Sequence, residues 1–399
     1  MTDPALFAVP PERRMFCNRT LNMRSIQAVG FDMDYTLVHY DVHEWEARAY
    51  AHVQQRLLAL GHPVGELSFD PEQYTRGLVL DLTLGNLVKA NRFGYVVQAA
   101  HGTRMLAHEE QRRVYSQVWV DLAEPRWLFL NTLFSLSEAC LYAQLVDLFD
   151  AGRIDASLLG GDQFGAGLDY AALHALVSHT MDAAHLEGEL KAEIIADPER
   201  FVKLDPDLPQ TLLDLKHAGK KLFLATNSEW SYTVPMMRYA FDRALPGGDW
   251  RALFDLVIVQ AHKPAFFDAA HPFALVDPVS GSTTPHTGPL SGRAVYAGGN
   301  AQLVQEHFAL DGSDILYVGD HAYADIHVSS RIRRWRTVLI LRELEREVRE
   351  EQAFAGERRQ LLQLMAEKER LDQEQAMLRL ALLRFDHGGD PPPGAGADA

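Results

Sequence analysis

The sequence predicts an α/β protein: a doubly wound parallel sheet with a large inserted cap and a C-terminal amphipathic helix. Short apolar runs, of the kind that form buried parallel strands, recur along the chain. Helix-like stretches alternate with them. An excursion far longer than a normal crossover connection separates the first run from the second. The chain has 399 residues, which suits two or three domains of ordinary size.

Five apolar runs are the strand candidates of the predicted sheet. They are residues 26–31, 221–225, 253–259, 315–318 and 337–340. The stretch 209–217, which is followed by Gly219, is typical of the helices expected between them. Ligands of such sheets bind at the carboxyl ends of the strands. Acidic or polar residues stand at three of these ends, so Asp32, Thr226 and Asp320 mark the expected site.

The long excursion after Asp32 sets the predicted domain organisation. We expect a core formed by residues 20–91 and 200–341, a substrate-specificity cap at 92–199, a helical extension at 342–386 and a disordered tail at 387–399.

The extension is rich in Glu, Arg, Leu and Gln, and its apolar residues recur at heptad spacing. These residues are Leu361, Leu364, Leu371, Leu378, Leu382 and Phe385. The spacing predicts an amphipathic helix with one apolar stripe, which Lys368 and Gln375 interrupt. Two interpretations are open: the stripe packs on its own domain, or it joins copies of the chain in a homo-oligomer.

Composition excludes several classes of protein. There are 38 Lys+Arg against 54 Asp+Glu, a formal charge of -16, which argues against a protein that coats a nucleic acid polymer. The two cysteines, Cys17 and Cys140, do not make a disulfide scaffold and fit a reducing cytoplasm. No apolar run reaches about 18 residues, and the N-terminus lacks a secretory pattern. We therefore expect a cytoplasmic protein without membrane contacts.

The first candidate for chemistry is the segment from Asp32 to Thr36, directly after the first strand candidate. One carboxylate at a strand tip is a nucleophile toward phosphorus, and a second, Asp34, is placed to protonate the leaving oxygen. Two carboxylates this close repel each other unless a cation lies between them, and Mg²⁺ prefers such oxygen ligands. Taken alone, the segment also fits a solvated turn in which Thr36 caps a helix.

Residues suited to phosphate or metal follow three further strand candidates. They are Thr226, Asn227 and Ser228 after the second, Lys263 after the third, and Asp320 and Asp325 after the fourth. Hydroxyl, amide and backbone N–H groups at a strand-to-helix turn bind phosphoryl oxygens. Lys263 would neutralise the charge of the nucleophile and of the transferred group. Asp320 would complete the set of metal ligands, and Asp325 would support those ligands without binding the metal itself. Each feature alone is also typical of a helix cap or a surface charge, but four at successive strand ends indicate phosphoryl transfer.

In this order the motifs resemble those of the haloacid dehalogenase (HAD) phosphohydrolases. The resemblance is closer to the cytosolic purine 5'-nucleotidase family, which prefers IMP and GMP. The segments that carry it are 31–37, 76–79, 85–89, 101–102, 130–134, 226–228, 263–267 and 315–321. The resemblance runs from about residue 30 to residue 347. It implies a HAD-like fold and Mg²⁺-dependent hydrolysis of purine nucleoside 5'-monophosphates to nucleoside and phosphate, with transfer of phosphate to a nucleoside as a further activity.

The resemblance also implies roles for individual residues. Asp32 is the nucleophile that forms an aspartyl-phosphate, and Asp34 is first the general acid and then the base. Mg²⁺ is held by Asp32, the backbone carbonyl of Asp34 and Asp320, with Asp325 in support. The phosphoryl group is gripped by Thr226, Asn227 and Lys263, with Ser228 beside them.

For the nucleoside, the resemblance implies that Phe134 stacks on the base. A helix over residues 181–191 presents Asp182, His185 and Lys191 to ribose and purine. The sequence departs from the family pattern at two positions, because Ser178 replaces an arginine and Ser135 replaces an asparagine.

Both departures remove hydrogen-bonding groups for the base, and such a loss changes specificity. Two alternatives therefore stay open: a HAD phosphatase for another small phosphate ester, or a scaffold protein with a vestigial site, which the long C-terminal helix suggests.

Overall fold

The computed structural model describes residues 9–18, 20–70, 74, 77–130, 135–154, 169–186 and 188–390, without the side chains of 182–186. The chain divides into two compact units. The larger unit is residues 22–340, and the smaller one joins residues 1–21 with residues 341–399.

All the strands named here belong to the larger unit. In chain order they are β1 (Ala28–Phe31), β2 (His39–Tyr40), β3 (Leu78–Asp81), β4 (Asn86–Ala90), β5 (Val96–His101), β6 (Arg104–Met105), β7 (Trp127–Leu130), β8 (Val202–Lys203), β9 (Lys221–Ala225), β10 (Leu256–Val259), β11 (Phe273–Val276), β12 (Thr283–Pro285), β13 (Val295–Gly298), β14 (Ile315–Gly319) and β15 (Arg336–Leu339).

The helices of this unit lie between those strands. They are α1 (Val42–Ala59), α2 (His108–Tyr115), α3 (Leu136–Asp150), α4 (Tyr170–Leu186), α5 (Glu189–Ala196), α6 (Pro198–Phe201), α7 (Leu208–His217), α8 (Trp230–Phe241), α9 (Ala265–Asp268), α10 (Ala301–Phe308) and α11 (Val328–Ile332). A π-helical segment, Ala322–His327, precedes α11.

The core is an eight-stranded sheet in the order β12-β11-β13-β10-β9-β1-β14-β15. Strand β1 lies between β9 and β14 and is parallel to both. Every residue of β1 is buried, and since successive residues of a strand face opposite sides of the sheet, both faces of the sheet are covered there. The predicted doubly wound parallel sheet is confirmed. Strands β11 and β12 form an antiparallel edge that the sequence patterns did not predict.

A second sheet, antiparallel and five-stranded, has the order β6-β5-β4-β3-β7. It belongs to the insertion between β1 and β9. Its buried core contains Val79, Val88, Ala99, Tyr115 and Trp127. The predicted boundary at residues 91 and 92 falls between β4 and β5, which pair along their length. We therefore propose that the cap begins before Leu78.

Two stretches of the insertion that the sequence predicts as helices are each divided in the structure. The stretch 128–148 is strongly apolar and predicts one helix, but it contains most of strand β7 and most of α3, because a short apolar run fits a strand as well as a helix. The stretch 181–191 contains the end of α4 and the start of α5. Gly188, at a φ of 73°, adopts the left-handed conformation that suits glycine at a helix boundary.

The smaller unit contains α12 (Leu344–Ala353) and α13 (Ala355–Asp386). No residue of α13 is buried, so a packing role for its apolar stripe stays a prediction. The predicted disordered tail lies outside the described residues from position 391 onward. None of the described helices has both the length and the apolar character that crossing a membrane requires.

Candidate active site

The carboxyl ends of four neighbouring strands bring the predicted site residues together. Phe31 of β1 is level with Leu224 of β9 and Val318 of β14. The residues that follow these strands therefore meet at one edge of the sheet. The backbone N–H of Asp32 donates to the carbonyl of Val318 at 2.9 Å. Thr226, Lys263 and Asp320 follow β9, β10 and β14, as the strand-end pattern predicts.

A buried lysine joins two of the carboxylates. The Nζ of Lys263 lies 2.7 Å from Oδ1 of Asp32 and 2.7 Å from Oδ1 of Asp325. It also donates to the hydroxyl of Tyr317 at 3.1 Å, and that hydroxyl donates to the carbonyl of Ala225 at 2.8 Å. The ammonium is thus fixed between the nucleophile candidate and a second acid.

Burial acts against the charges of Asp32 and Lys263. Burial raises the pKa of Asp32 well above its usual value, and the nearby Lys263 ammonium acts to lower it. The neighbouring carboxylates raise this pKa further; they are Asp325, Asp320 and Asp34. Burial also disfavours the Lys263 ammonium, but Asp32 and Asp325 outweigh it and raise the pKa of Lys263 well above its usual value. One lysine therefore serves several carboxylates, an imbalance that a bound cation relieves.

The acidic residues fit a hard metal ion. Asp32, Asp320 and Asp325 each place one carboxylate oxygen so that all lie within 4.8 Å of one another. Oxygen ligands in such a group suit Mg²⁺. Both oxygens of Asp325 are engaged, since its Oδ1 contacts Lys263 and its Oδ2 accepts from the N–H of His321 at 3.1 Å. This arrangement fits the supporting role expected of Asp325, and the role of Asp320 as a ligand stays a prediction.

Gly319 makes room for Asp325. A Cβ atom on Gly319 would lie 2.5 Å from the Cγ of Asp325, closer than any carbon contact allows. Because Gly319 has no side chain, Asp325 can lie against the end of β14. The sequence shows only that a glycine precedes Asp320.

Asp34 is held by two hydroxyl groups. Its Oδ1 accepts from the hydroxyl of Tyr40 at 2.6 Å, and its Oδ2 accepts from Oγ of Ser228 at 2.6 Å. The hydroxyl of Tyr232 donates to that of Tyr40 at 3.1 Å. Sequence reasoning missed both tyrosines. No motif marks them, and their role depends on the folded chain.

The turn after β9 is organised around Lys263. Asn227 accepts from the N–H of Lys263 at 2.6 Å and donates to its carbonyl at 3.1 Å. Thr226, fully buried, accepts from the N–H of Ser228 at 3.0 Å. The Asn227 side chain therefore fixes the backbone at Lys263, and its predicted contact with the phosphoryl group stays a prediction.

The predicted nucleoside-binding residues are described only in part. The Nζ of Lys191, on α5, lies 5.4 Å from the centre of the Tyr232 ring. Phe134 lies outside the described residues. Asp182 and His185 lie on α4, but their side chains are outside the description. Their contacts with a nucleoside stay predictions.

A buried acid that the sequence did not reveal lies on α1. Glu46 is fully buried, and its Oε2 accepts from the N–H of Ser137 in the first turn of α3 at 2.7 Å. An acceptor at this position satisfies an N–H group that the helix leaves unpaired. Burial raises the pKa of Glu46 to about 7, against the lowering effect of the Ser137 hydrogen bonds.

Comparisons with known proteins agree with this geometry. The sequence model of the 5' nucleotidase family matches residues 15–390. A 5'-nucleotidase domain-containing protein of Dictyostelium discoideum is 30% identical over 359 residues, which is 84% of this chain and 56% of that protein. Human 5'-nucleotidase domain-containing protein 2 is 29% identical over 350 residues, 84% of this chain and 64% of that protein. The chain thus spans roughly three fifths of the length of these curated relatives.

Solved structures give weaker likenesses. A predicted phosphoglycolate phosphatase from Haemophilus somnus is 14% identical, with 79% of this chain and 85% of that chain covered, at a TM-score of 0.32. A HAD-hydrolase of Bacillus subtilis bound to magnesium is 11% identical, with 79% and 86% covered, at a TM-score of 0.26. Scores this low do not establish a shared fold. The family match spans almost the whole chain and includes every strand end that carries a site residue, so the chain belongs to the 5' nucleotidase family.

Proposed function

We propose that the protein is a Mg²⁺-dependent 5'-nucleotidase that hydrolyses purine nucleoside 5'-monophosphates to nucleoside and inorganic phosphate. The observation that carries the proposal is the group at the tip of β1. There, Lys263 bridges Asp32 and Asp325, and Asp34 is held by separate hydroxyl donors. This separates a shielded nucleophile from an oriented acid, as a two-step phosphoryl transfer requires.

The residues divide the reaction between them. The Asp32 carboxylate attacks phosphorus, the bond from phosphorus to the leaving oxygen breaks, and Asp34 gives that oxygen its proton. Asp34 then takes a proton from a water molecule that attacks the aspartyl-phosphate, which releases phosphate and restores Asp32. Lys263 and the turn at Thr226 offset the negative charge that builds up on the transferred group.

The metal would be held by Asp32, the backbone carbonyl of Asp34 and Asp320, with Asp325 in support. When bound, it supplies positive charge that lets an anionic substrate approach several carboxylates. Lys263 is the only buried cation among the described residues that contact Asp32, so the chain itself supplies little of that charge.

The purine preference rests on the family resemblance and on the position of Lys191. Its ammonium lies over the ring of Tyr232, whose hydroxyl is linked through Tyr40 to Asp34. Phe134, Asp182 and His185 complete the nucleoside site that we propose. A phosphorylated enzyme also permits transfer to a nucleoside hydroxyl instead of water, which we propose as a secondary reaction.

A phosphate-release screen tests the proposal. The purified protein is assayed with each nucleoside 5'-monophosphate and with common sugar phosphates, with Mg²⁺ and with a chelator. We expect release from purine nucleotides, and only with the metal. No release from IMP, GMP or AMP in the presence of Mg²⁺ contradicts the proposal.

A second candidate is a HAD phosphatase for another small phosphate ester. Ser135 and Ser178 favour it, because they replace the side chains that bind the base in the family resemblance. The same screen decides between the two. A sugar phosphate with a kcat/KM far above that of every nucleotide supports the second candidate.

We also propose a cytoplasmic location. Both cysteines are free, Cys17 exposed and Cys140 buried, which fits a reducing compartment.

A further inference from the structure

We propose that Tyr40 is a positioning residue for Asp34, and that Tyr232 holds Tyr40 in place for this task. The inference rests on the proposed function, because it concerns the step in which Asp34 passes its proton to the leaving oxygen. Neither tyrosine belongs to the motifs that mark the site in the sequence.

The direction of the hydrogen bonds is fixed by chemistry. Once Asp34 has given up its proton, its carboxylate only accepts, so in that state the Tyr40 hydroxyl must donate to Oδ1 of Asp34, at 2.6 Å. The oxygen of Tyr40 is then left to accept from Tyr232, at 3.1 Å. With Ser228 on Oδ2, each oxygen of the Asp34 carboxylate has its own donor, and the plane of the group is set.

Packing keeps the Tyr40 hydroxyl aimed at Asp34. The side chain is fully buried. Its ring lies 5.3 Å from that of Tyr35, edge to face, and 4.7 Å from that of Trp45. Strand β2, which carries Tyr40, is paired to β8 at Val202. These contacts therefore fix the Tyr40 ring and hold its hydroxyl oxygen beside Asp34.

This arrangement acts on the proton transfer. As Asp34 gives up its proton, negative charge develops on the carboxylate, and hydrogen bonds to a charged group are about twice as strong as neutral ones. The Tyr40 hydroxyl thus stabilises the transition state in which Asp34 protonates the leaving oxygen. An alkyl oxygen, such as the 5' oxygen of a nucleoside, needs that proton, whereas a nitrophenolate leaves without it. The contribution of Tyr40 must therefore depend on the leaving group.

The experiment compares two substrates in the full chain with Mg²⁺: the best nucleoside monophosphate and p-nitrophenyl phosphate. For Tyr40→Phe we expect kcat/KM on the nucleotide to fall about tenfold or more, since a hydrogen bond to a charged group is lost. This ratio reports the steps up to the aspartyl-phosphate, so the later hydrolysis, in which Asp34 is the base for both substrates, does not enter it. On p-nitrophenyl phosphate kcat/KM should fall by no more than about twofold. Tyr232→Phe should show a smaller loss with the same dependence on the leaving group.

Tyr50→Phe is the matched control. Tyr50 is a buried tyrosine of α1 whose hydroxyl donates to Gln144 instead, and its variant should treat both substrates as the wild type does. Equal losses on both substrates in Tyr40→Phe, or no loss on the nucleotide, overturn the inference. If Tyr40→Phe does not fold, Tyr232→Phe decides by the same comparison.

The two proposals fail in different ways. If the wild type prefers another alkyl phosphate, the purine assignment fails, and the Tyr40 comparison is run with that ester. If the wild type hydrolyses no phosphate monoester, both proposals fail.

Discussion

The ammonium of Lys263 lies 2.7 Å from Oδ1 of Asp32, although the two residues follow different strands, β10 and β1. Both are almost fully buried. In the proposed mechanism this pair shields the nucleophile Asp32, and the other acids of the site would hold the metal ion.

We predict that Lys263→Met abolishes most of the activity and weakens the fold. Removing one partner of a buried ion pair costs about 3–5 kcal/mol, and losing one donor to the transferred group costs roughly a hundredfold in kcat. Mg²⁺ should raise the thermal midpoint more in the variant than in the wild type, because the carboxylates have lost their cation. Thermal unfolding with and without Mg²⁺ measures this.

Lys221→Met is the control for this prediction. Lys221 pairs with Asp255 at 3.4 Å on the surface, where an ion pair contributes about 1 kcal/mol or less. Equal effects of Mg²⁺ on the Lys263 variant and the wild type would contradict the account of the site's charge.

Gly319→Ala should lower activity while the chain stays folded. The added Cβ would lie 2.5 Å from Cγ of Asp325, so the acid must shift from its position beside Lys263. Misplacement of such a group by about 1 Å costs roughly a hundredfold in rate. Steady-state kinetics and a circular dichroism spectrum check this. Gly292→Ala is the control, because the nearest atom to its added Cβ is 3.5 Å away, and its kinetics should match those of the wild type. A fully active Gly319→Ala variant would argue against the role of Asp325.

The sequence predicted the strand-end residues because their positions follow from one rule. Parallel strands share an edge, so Asp32, Thr226, Lys263 and Asp320 had to meet there. Tyr40 and Tyr232 follow no such rule. They are 192 positions apart, and only the packed chain shows that their hydroxyls touch. The same holds for Glu46, whose role depends on where α3 begins.

Short apolar runs also limited how far the secondary structure could be predicted from the sequence. Residues 128–130 fit a helix by composition but form β7, because the register with β3 decides their state. The packing role of Gly30 also could not be predicted from the sequence. In the sequence it is an ordinary strand residue, but a Cβ at this position would lie 2.2 Å from Cζ of Phe223.

Gly30→Ala should therefore destabilise the core sheet. Overpacking of this kind costs about 1–3 kcal/mol, and a smaller partner should relieve it. We expect the double variant Gly30→Ala with Phe223→Leu to lose less free energy of unfolding than the sum of the two single variants. Urea denaturation of all four proteins measures the coupling. Strict additivity would show that the two residues do not compete for space.

Glu46 should make stability depend on pH. Its pKa is raised from 4.5 to about 7, so the unfolded chain releases this proton at a lower pH than the folded one. The stabilising contribution is present below pH 4.5 and is lost as the pH rises through 7, by up to about 3 kcal/mol. Glu46→Gln removes that loss and keeps an acceptor for the N–H of Ser137.

The thermal midpoint of Glu46→Gln relative to the wild type should therefore rise between pH 5 and pH 8. Glu44→Gln, on the same helix but with a partly exposed side chain, is the control, and its difference from the wild type should not change with pH. A Glu46 variant whose difference is also constant would contradict the buried-acid interpretation.

The central claim is that Asp32 carries the phosphoryl group during turnover. Its most direct test is the mass of the acid-quenched enzyme, taken from a reaction with substrate and Mg²⁺ and mapped by peptide. We predict one added phosphoryl group on the peptide that contains Asp32, and none in Asp32→Asn, which should not turn over. Turnover by Asp32→Asn, or a phosphoryl group on another peptide, would contradict the claim.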